Sequence, residues 1–192
     1  MNELNELKAR FNGYMELIDR DGKSELIKML SDCNYFTAAS SSKFHGSWIG
    51  GNLEHSLAVT NVLIKFYNSQ SEYTINRESL IICGLFHDLG KSTYYGKPTY
   101  VTNYLKSGKI SDASPYEKNK ALLGIPHQIA SIQMLSKHIE LTEQESFAIL
   151  FHNGLYTPDG REILGKEQPL QLLLHWADMW ESRFIGKNAV ID

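Results

Sequence analysis

Cysteine is scarce in this chain, basic clusters are missing, and no apolar run is long enough to cross a bilayer. The two cysteines of the 192 residues, Cys33 and Cys83, stand far apart with no partner at zinc-ribbon spacing. That excludes a disulfide-stapled scaffold and a cysteine-based zinc module. Both read as reduced thiols, with Cys83 inside the apolar run Leu80-Ile81-Ile82-Cys83 and so in the core. Lysine and arginine form no block and the formal charge is -3, so no global electrostatic argument favours a polyanionic partner. A spanning helix needs about 20 apolar residues, and the first residues, Met1 to Glu6, carry acids where a secretory leader carries bases. The expectation is a cytoplasmic protein without a membrane partner. Internal repeats and low-complexity segments are also absent.

What is present is ordinary for a soluble globular chain: 42% hydrophobic and 21% charged residues, in a length that fits one domain with a short helical appendage. Leu4, Leu7, Phe11, Met15 and Ile18 recur at three- and four-residue spacing, which predicts a helix stopping near Asp21-Gly22. A shorter helix follows from Ser24, and the small polar stretch Thr37 to Ser42 reads as a loop. The predicted organisation is an N-terminal helical segment over 1–36 packing on a core domain over 37–192. In the latter, helical periods cover Asn52 to Tyr67, Arg77 to Leu89, Pro126 to Leu135, a capping box at Thr142 and Glu145 leading towards Gly154, and Gln168 to Phe184. Residues 155–165 read as a loop. Between Ser92 and Asn119 the composition turns to Tyr, Gly, Lys and Ser, with Tyr100 to Tyr104 alternating like a strand and Ser107-Gly108 at a turn. A small β-hairpin or flap around residues 94–118 is expected, and its tyrosines and lysines would suit either a base-stacking surface or a plain surface hairpin.

Most of the seven histidines lie in or beside apolar helices, where an unpaired imidazole is costly. His87 and Asp88 are adjacent near the end of the most apolar helix, inside Phe86-His87-Asp88-Leu89-Gly90-Lys91. Neighbouring helical residues point about 100° apart, so both side chains reach one cation only where the helix ends, and Gly90 supplies an end. An ionised Asp88 there needs a cation or strong donors, and a His-Asp hydrogen bond and a metal would each serve.

His55 in Gly50-Gly51-Asn52-Leu53-Glu54-His55, the His87-Asp88 doublet and Asp178 in His175-Trp176-Ala177-Asp178 resemble, in this order, the H…HD…D pattern of HD-domain metal-dependent phosphohydrolases. The lead-in to His55 looks most like the HD domains of bacterial 3′-5′ exoribonucleases and relaxase-associated proteins. The resemblance implies an all-α fold, a helical bundle in which His55, His87, Asp88 and Asp178 bind a divalent metal. His127 and His152 are the candidates for a second metal, and Asn153 stands where several two-metal relatives carry a further histidine. Mixed imidazole and carboxylate ligands suit Mn, Fe, Co, Ni or Zn, one or two per chain. The implied activity is cleavage of a phosphoester of a nucleotide or nucleic-acid 3′ end by metal-activated hydroxide, with Asp88 and Lys91 as catalytic residues and His45, Lys91 and His175 towards the substrate. Two other readings remain: a non-catalytic, metal-retaining module for ligand sensing, and an HD-fold di-iron oxygenase. His138, at a predicted helix end, is given no function.

Overall fold

The computed structural model describes residues 2–70 and 72–185. The described residues are mostly helical, with two small two-stranded sheets. Helices α1 (Asn2–Glu16) and α2 (Lys23–Asp32) precede the central α3 (Gly51–Asn68). Helix α4 (Arg77–Phe86) leads into a 3-10 turn over Leu89–Lys91. After the strands come α5 (His127–Leu135), α6 (Glu143–Leu150) and α7 (Pro169–Trp180). Helix α3 lies against α1, α4 and α7, and α6 lies against α4, α5 and α7. A single apolar cluster joins Phe11, Ile18 and Leu26 of the N-terminal segment to Leu57, Ile81, Phe86, Ile149 and Leu174. No helix is long and apolar enough to cross a membrane among the described residues.

Local chemistry accounts for the element ends. Thr142 and Glu145 form the expected capping box, each side chain bonding the other's backbone N–H at 3.1 and 2.8 Å. Helix α4 ends at Phe86, three residues short of the expected Leu89. Asp88 leaves helical geometry at φ -105° and the chain tightens into the 3-10 turn, which turns the doublet out of the helix. The last helix likewise stops at Trp180 and continues as a π turn over Glu181–Ile185. The predicted 155–165 loop contains two 3-10 turns, Gly154–Tyr156 and Asp159–Ile163.

The flap is two antiparallel pairs rather than one hairpin. Strands β1 (Thr93–Tyr94) and β2 (Lys97–Pro98) are joined by Tyr95 and Gly96, both at positive φ (49° and 70°), as a two-residue turn of this hand requires. Strands β3 (Tyr100–Thr102) and β4 (Tyr116–Lys118) pair across a long excursion pinned by a Tyr104–Ile110 bridge, with the predicted turn at Gly108 (φ 81°).

Two glycines set how closely the helices approach the doublet. A Cβ on Gly84 would lie 2.8 Å from the Cα of Thr60, so its absence lets α4 press on α3. A Cβ on Gly90 would lie 2.1 Å from the carbonyl oxygen of His127, so its absence lets the start of α5 sit against the turn after the doublet.

Candidate metal centre

Five elements deliver the ligand candidates. His55 comes from α3, His87 and Asp88 from the end of α4, His127 from the first position of α5, His152 from just beyond α6, and Asp178 from the last turn of α7. His55, His87, Asp88 and His152 are fully buried, while His127 and Asp178 are half-buried. The order predicted from sequence is thus gathered in one place by tertiary packing.

Backbone carbonyls fix the imidazole tautomers. The Nδ1 of His87 donates to the Gly84 carbonyl at 3.0 Å and that of His152 to the Ile149 carbonyl at 2.7 Å. These bonds leave each Nε2 as a lone-pair acceptor. His55 Nδ1 is bonded to the carboxylate of Glu181, which likewise turns its Nε2 inward. The result is two close nitrogen pairs, His55 with His87 and His127 with His152, each 3.3 Å between Nε2 atoms. In the His55–His87 pair both Nδ1 atoms are engaged, and lone pairs facing each other at that distance repel unless a proton or a cation lies with them.

Asp88 stands between the two pairs. Its Oδ2 lies 3.4 Å from His55 Nε2 and 3.5 Å from His87 Nε2. Its Oδ1 lies 3.2 Å from His127 Nε2 and 3.7 Å from His152 Nε2, and is a buried oxygen with no hydrogen-bond partner among the described residues. Asp178 Oδ1 is 3.3 Å from His55 Nε2. The ligand atoms of His55, His87 and Asp88, and those of Asp88, His127 and His152, each lie within 4.8 Å of one another. An orphaned carboxylate oxygen facing two imidazole nitrogens fits a divalent cation, and the mixed nitrogen and oxygen donors fit a borderline transition metal better than an all-oxygen magnesium cage.

The titration tendencies agree with a charged centre. Burial would raise the Asp88 carboxyl, but Lys91, His87, His127 and His55 outweigh it and hold the group well below the usual carboxylate range. Asp178 is held low against burial by its bond to His55. Burial lowers His55, yet Asp178, Asp88 and Glu181 together raise it well above its ordinary value. His152, buried beside His87, is pushed down to about 3 and stays neutral.

Lys91 Nζ lies 2.6 Å from Asp88 Oδ2. It also borders a cleft of about 370 Å³ whose walls include His45, Asn153, Tyr156, Asp178 and Arg183. In that wall Ser182 Oγ is 3.2 Å from both His45 Nε2 and Asp178 Oδ1, accepting from the first and donating to the second. His175 also faces the cleft, but its Nδ1 is bonded to the His152 carbonyl at 2.7 Å and it belongs to no ligand group among the described residues. Asn153, the position of departure from the two-metal pattern, has a buried Nδ2 without a hydrogen-bond partner among the described residues. His138 lies beyond α5 with its carbonyl against Gly22.

Sequence reasoning missed Glu181, Ser182, Tyr156 and Arg183. For the first two a signal existed, since they follow Asp178 by three and four residues and so share its helical face. Tyr156 and Arg183 had none. Comparison of the chain with known proteins finds no matching family model, no matching curated protein and no matching solved structure.

Proposed function

We propose that this chain is a metal-dependent phosphohydrolase of the HD type, acting on a phosphoester of a nucleotide or nucleic-acid end. The observation that carries the reading is the division of one buried carboxylate: Asp88 turns one oxygen to His55 and His87 and the other to His127 and His152, beside a cleft that a lysine borders. The metal would be Mn, Fe, Co, Ni or Zn, one or two per chain, with His55, His87, Asp88 and Asp178 as the first ligand set and Asp88, His127 and His152 as the second. When bound, such a cation supplies Lewis acidity, acidifying water for attack and taking up the charge that gathers on the phosphoryl oxygens.

The protein's own groups supply orientation and charge. Lys91 neutralises Asp88 with one N–H and has donors left for a phosphoryl oxygen. Asn153, whose buried Nδ2 has no hydrogen-bond partner among the described residues, lines the same cleft. His45 is tied to Asp178 through Ser182, so a substrate meeting His45 is registered against the ligand set. His175 braces the His152 carbonyl and lends its ring to the wall. Carboxylate-bridged histidine pairs would also suit a di-iron oxygenase. Lys91 favours hydrolysis, because a cation beside the centre matches an anionic substrate.

The test is elemental analysis of the purified protein beside Asp88→Ala, followed by hydrolysis of bis-p-nitrophenyl phosphate with manganese on the same samples. One or two transition-metal ions per chain, lost together with hydrolysis in Asp88→Ala, is the expected result. His127→Ala combined with His152→Ala should lower the stoichiometry. Metal retained without hydrolysis would move the site to a metal-retaining sensing module, an iron chromophore with oxygen uptake to an oxygenase, and no metal would overturn the reading.

A further inference from the structure

A second cleft, of about 300 Å³, opens on the flap side of Lys91, between the 34–39 turn and the two strand pairs. Lys91 is its one charged lining residue, and it is also in the wall of the 370 Å³ cleft described above. The rest of the second cleft is uncharged, a mixture of apolar side chains such as Ala38 and Pro98 with hydroxyl-bearing ones, Thr37, Tyr100 and Tyr116 among them. Ser92 is 1% exposed. Tyr100 and Tyr116 come from diagonal positions of the β3–β4 pair, which puts both rings on one face of that ribbon.

The walls are held in place. Thr93 N–H donates to the Cys33 carbonyl at 2.8 Å, and Tyr116 N–H and Ser114 Oγ donate to the Ser42 carbonyl, each at 3.2 Å. The far cleft has its own aromatics, Phe44 and Tyr156, with the Arg183 guanidinium 5.9 Å from the Tyr156 ring centre. Each volume lies near the lower end of the roughly 300–1,000 Å³ of small-molecule sites, so each takes a unit of about nucleoside size.

A phosphoryl group held at Lys91 therefore borders both clefts. A phosphomonoester carries one organic substituent and would leave one cleft unused; a phosphodiester carries two. We infer that the substrate is a phosphodiester joining two nucleoside units, with one unit in the flap cleft against Tyr100 and Tyr116 and the other in the cleft of Tyr156 and Arg183. The inference rests on the phosphohydrolase reading. In the reaction one water adds its oxygen to phosphorus, one P–O ester bond breaks, and the leaving alkoxide takes up a proton, giving a phosphomonoester and an alcohol.

The experiment compares kcat/KM of the full chain with manganese for a dinucleoside phosphate, its 3′- and 5′-mononucleotides, and bis-p-nitrophenyl phosphate. The dinucleoside phosphate should exceed either mononucleotide by about tenfold or more, the scale of one base stacked on an aromatic ring. Tyr100→Leu and Tyr116→Leu, which remove a ring but keep apolar bulk, should each lower the ratio of dinucleoside phosphate to bis-p-nitrophenyl phosphate turnover, by about tenfold. Tyr73→Ala, an exposed tyrosine between α3 and α4, should leave that ratio as in the wild type. Mononucleotides cleaved faster than the dinucleoside phosphate, or a ratio unmoved by both flap substitutions, would overturn the inference while leaving hydrolysis intact. Failure to cleave even bis-p-nitrophenyl phosphate would overturn the phosphohydrolase reading and this inference with it.

Discussion

Asp88 concentrates the chemistry of the site because it is buried, ionised and short of partners at the same time. Its ion pair with Lys91 satisfies Oδ2, but among the described residues Oδ1 faces the Nε2 atoms of His127 and His152, and that of His152 is already committed as an acceptor by the Nδ1 bond to the Ile149 carbonyl. Glu181 works one bond further out, holding His55 by Nδ1 so that Nε2 points inward. Carboxylates that orient a metal-bound imidazole typically change metal affinity about 10–100-fold when removed. Glu181→Gln should weaken metal binding on that scale in a chelator-competition titration without substrate, and unchanged affinity would show that the contact is only packing. His138→Ala should leave metal content as it is.

At the scale of elements, the site depends on how closely helices can approach. His127 reaches Asp88 because α5 starts against Gly90, where a side chain would collide with the His127 carbonyl. Gly90→Ala should cost about 1–3 kcal/mol of overpacking strain. The strain falls on the element that carries the second ligand group, so metal stoichiometry should drop towards that of the first group alone. Gly124→Ala, where an added Cβ meets nothing within 4 Å, is the control for a harmless glycine replacement. Equal metal content in the two variants would remove the argument from close approach. The doublet itself was legible in the sequence, and so were the helices bearing His55, His127 and Asp178, because apolar periodicity and a Gly after the doublet are local signals. The early end of α4 was not, since it depends on Asp88 leaving helical geometry where α5 and the 3-10 turn meet.

At the scale of the whole molecule, a charged cluster remote from the candidate metal centre ties the N-terminal segment to the core. Arg20 bonds Glu78 of α4 at 2.8 Å and Glu145 of α6 at 2.7 Å, and Ser79 Oγ donates to Glu145 at 2.7 Å. Burial would raise the Glu145 carboxyl, but Arg20, Ser79 and the Thr142 backbone prevail and hold it below its ordinary 4.5. A carboxyl depressed in the folded state contributes stability that is present above its unfolded value and lost as pH falls through the folded value. Removing one partner of such a buried pair costs about 3 kcal/mol or more. Arg20→Ala should therefore be destabilised by that order in urea unfolding at pH 7. The deficit should shrink towards pH 4, where the orphaned Glu145 takes a proton; a deficit independent of pH would mean that Arg20 acts through packing alone.

The sequence by itself determined the helical periods, the capping box, the Gly-Gly lead-in to His55 and the order of potential ligands, because each is written in residues within a turn or two of one another. Only the tertiary structure decided that Glu181 backs His55, that Arg20 spans to α4 and α6, that Asp88 divides its two oxygens between histidine pairs, and that Lys91 borders two clefts. These are contacts between residues tens of positions apart. Their geometry is fixed by how closely helices and strands pack, which one-dimensional spacing does not encode.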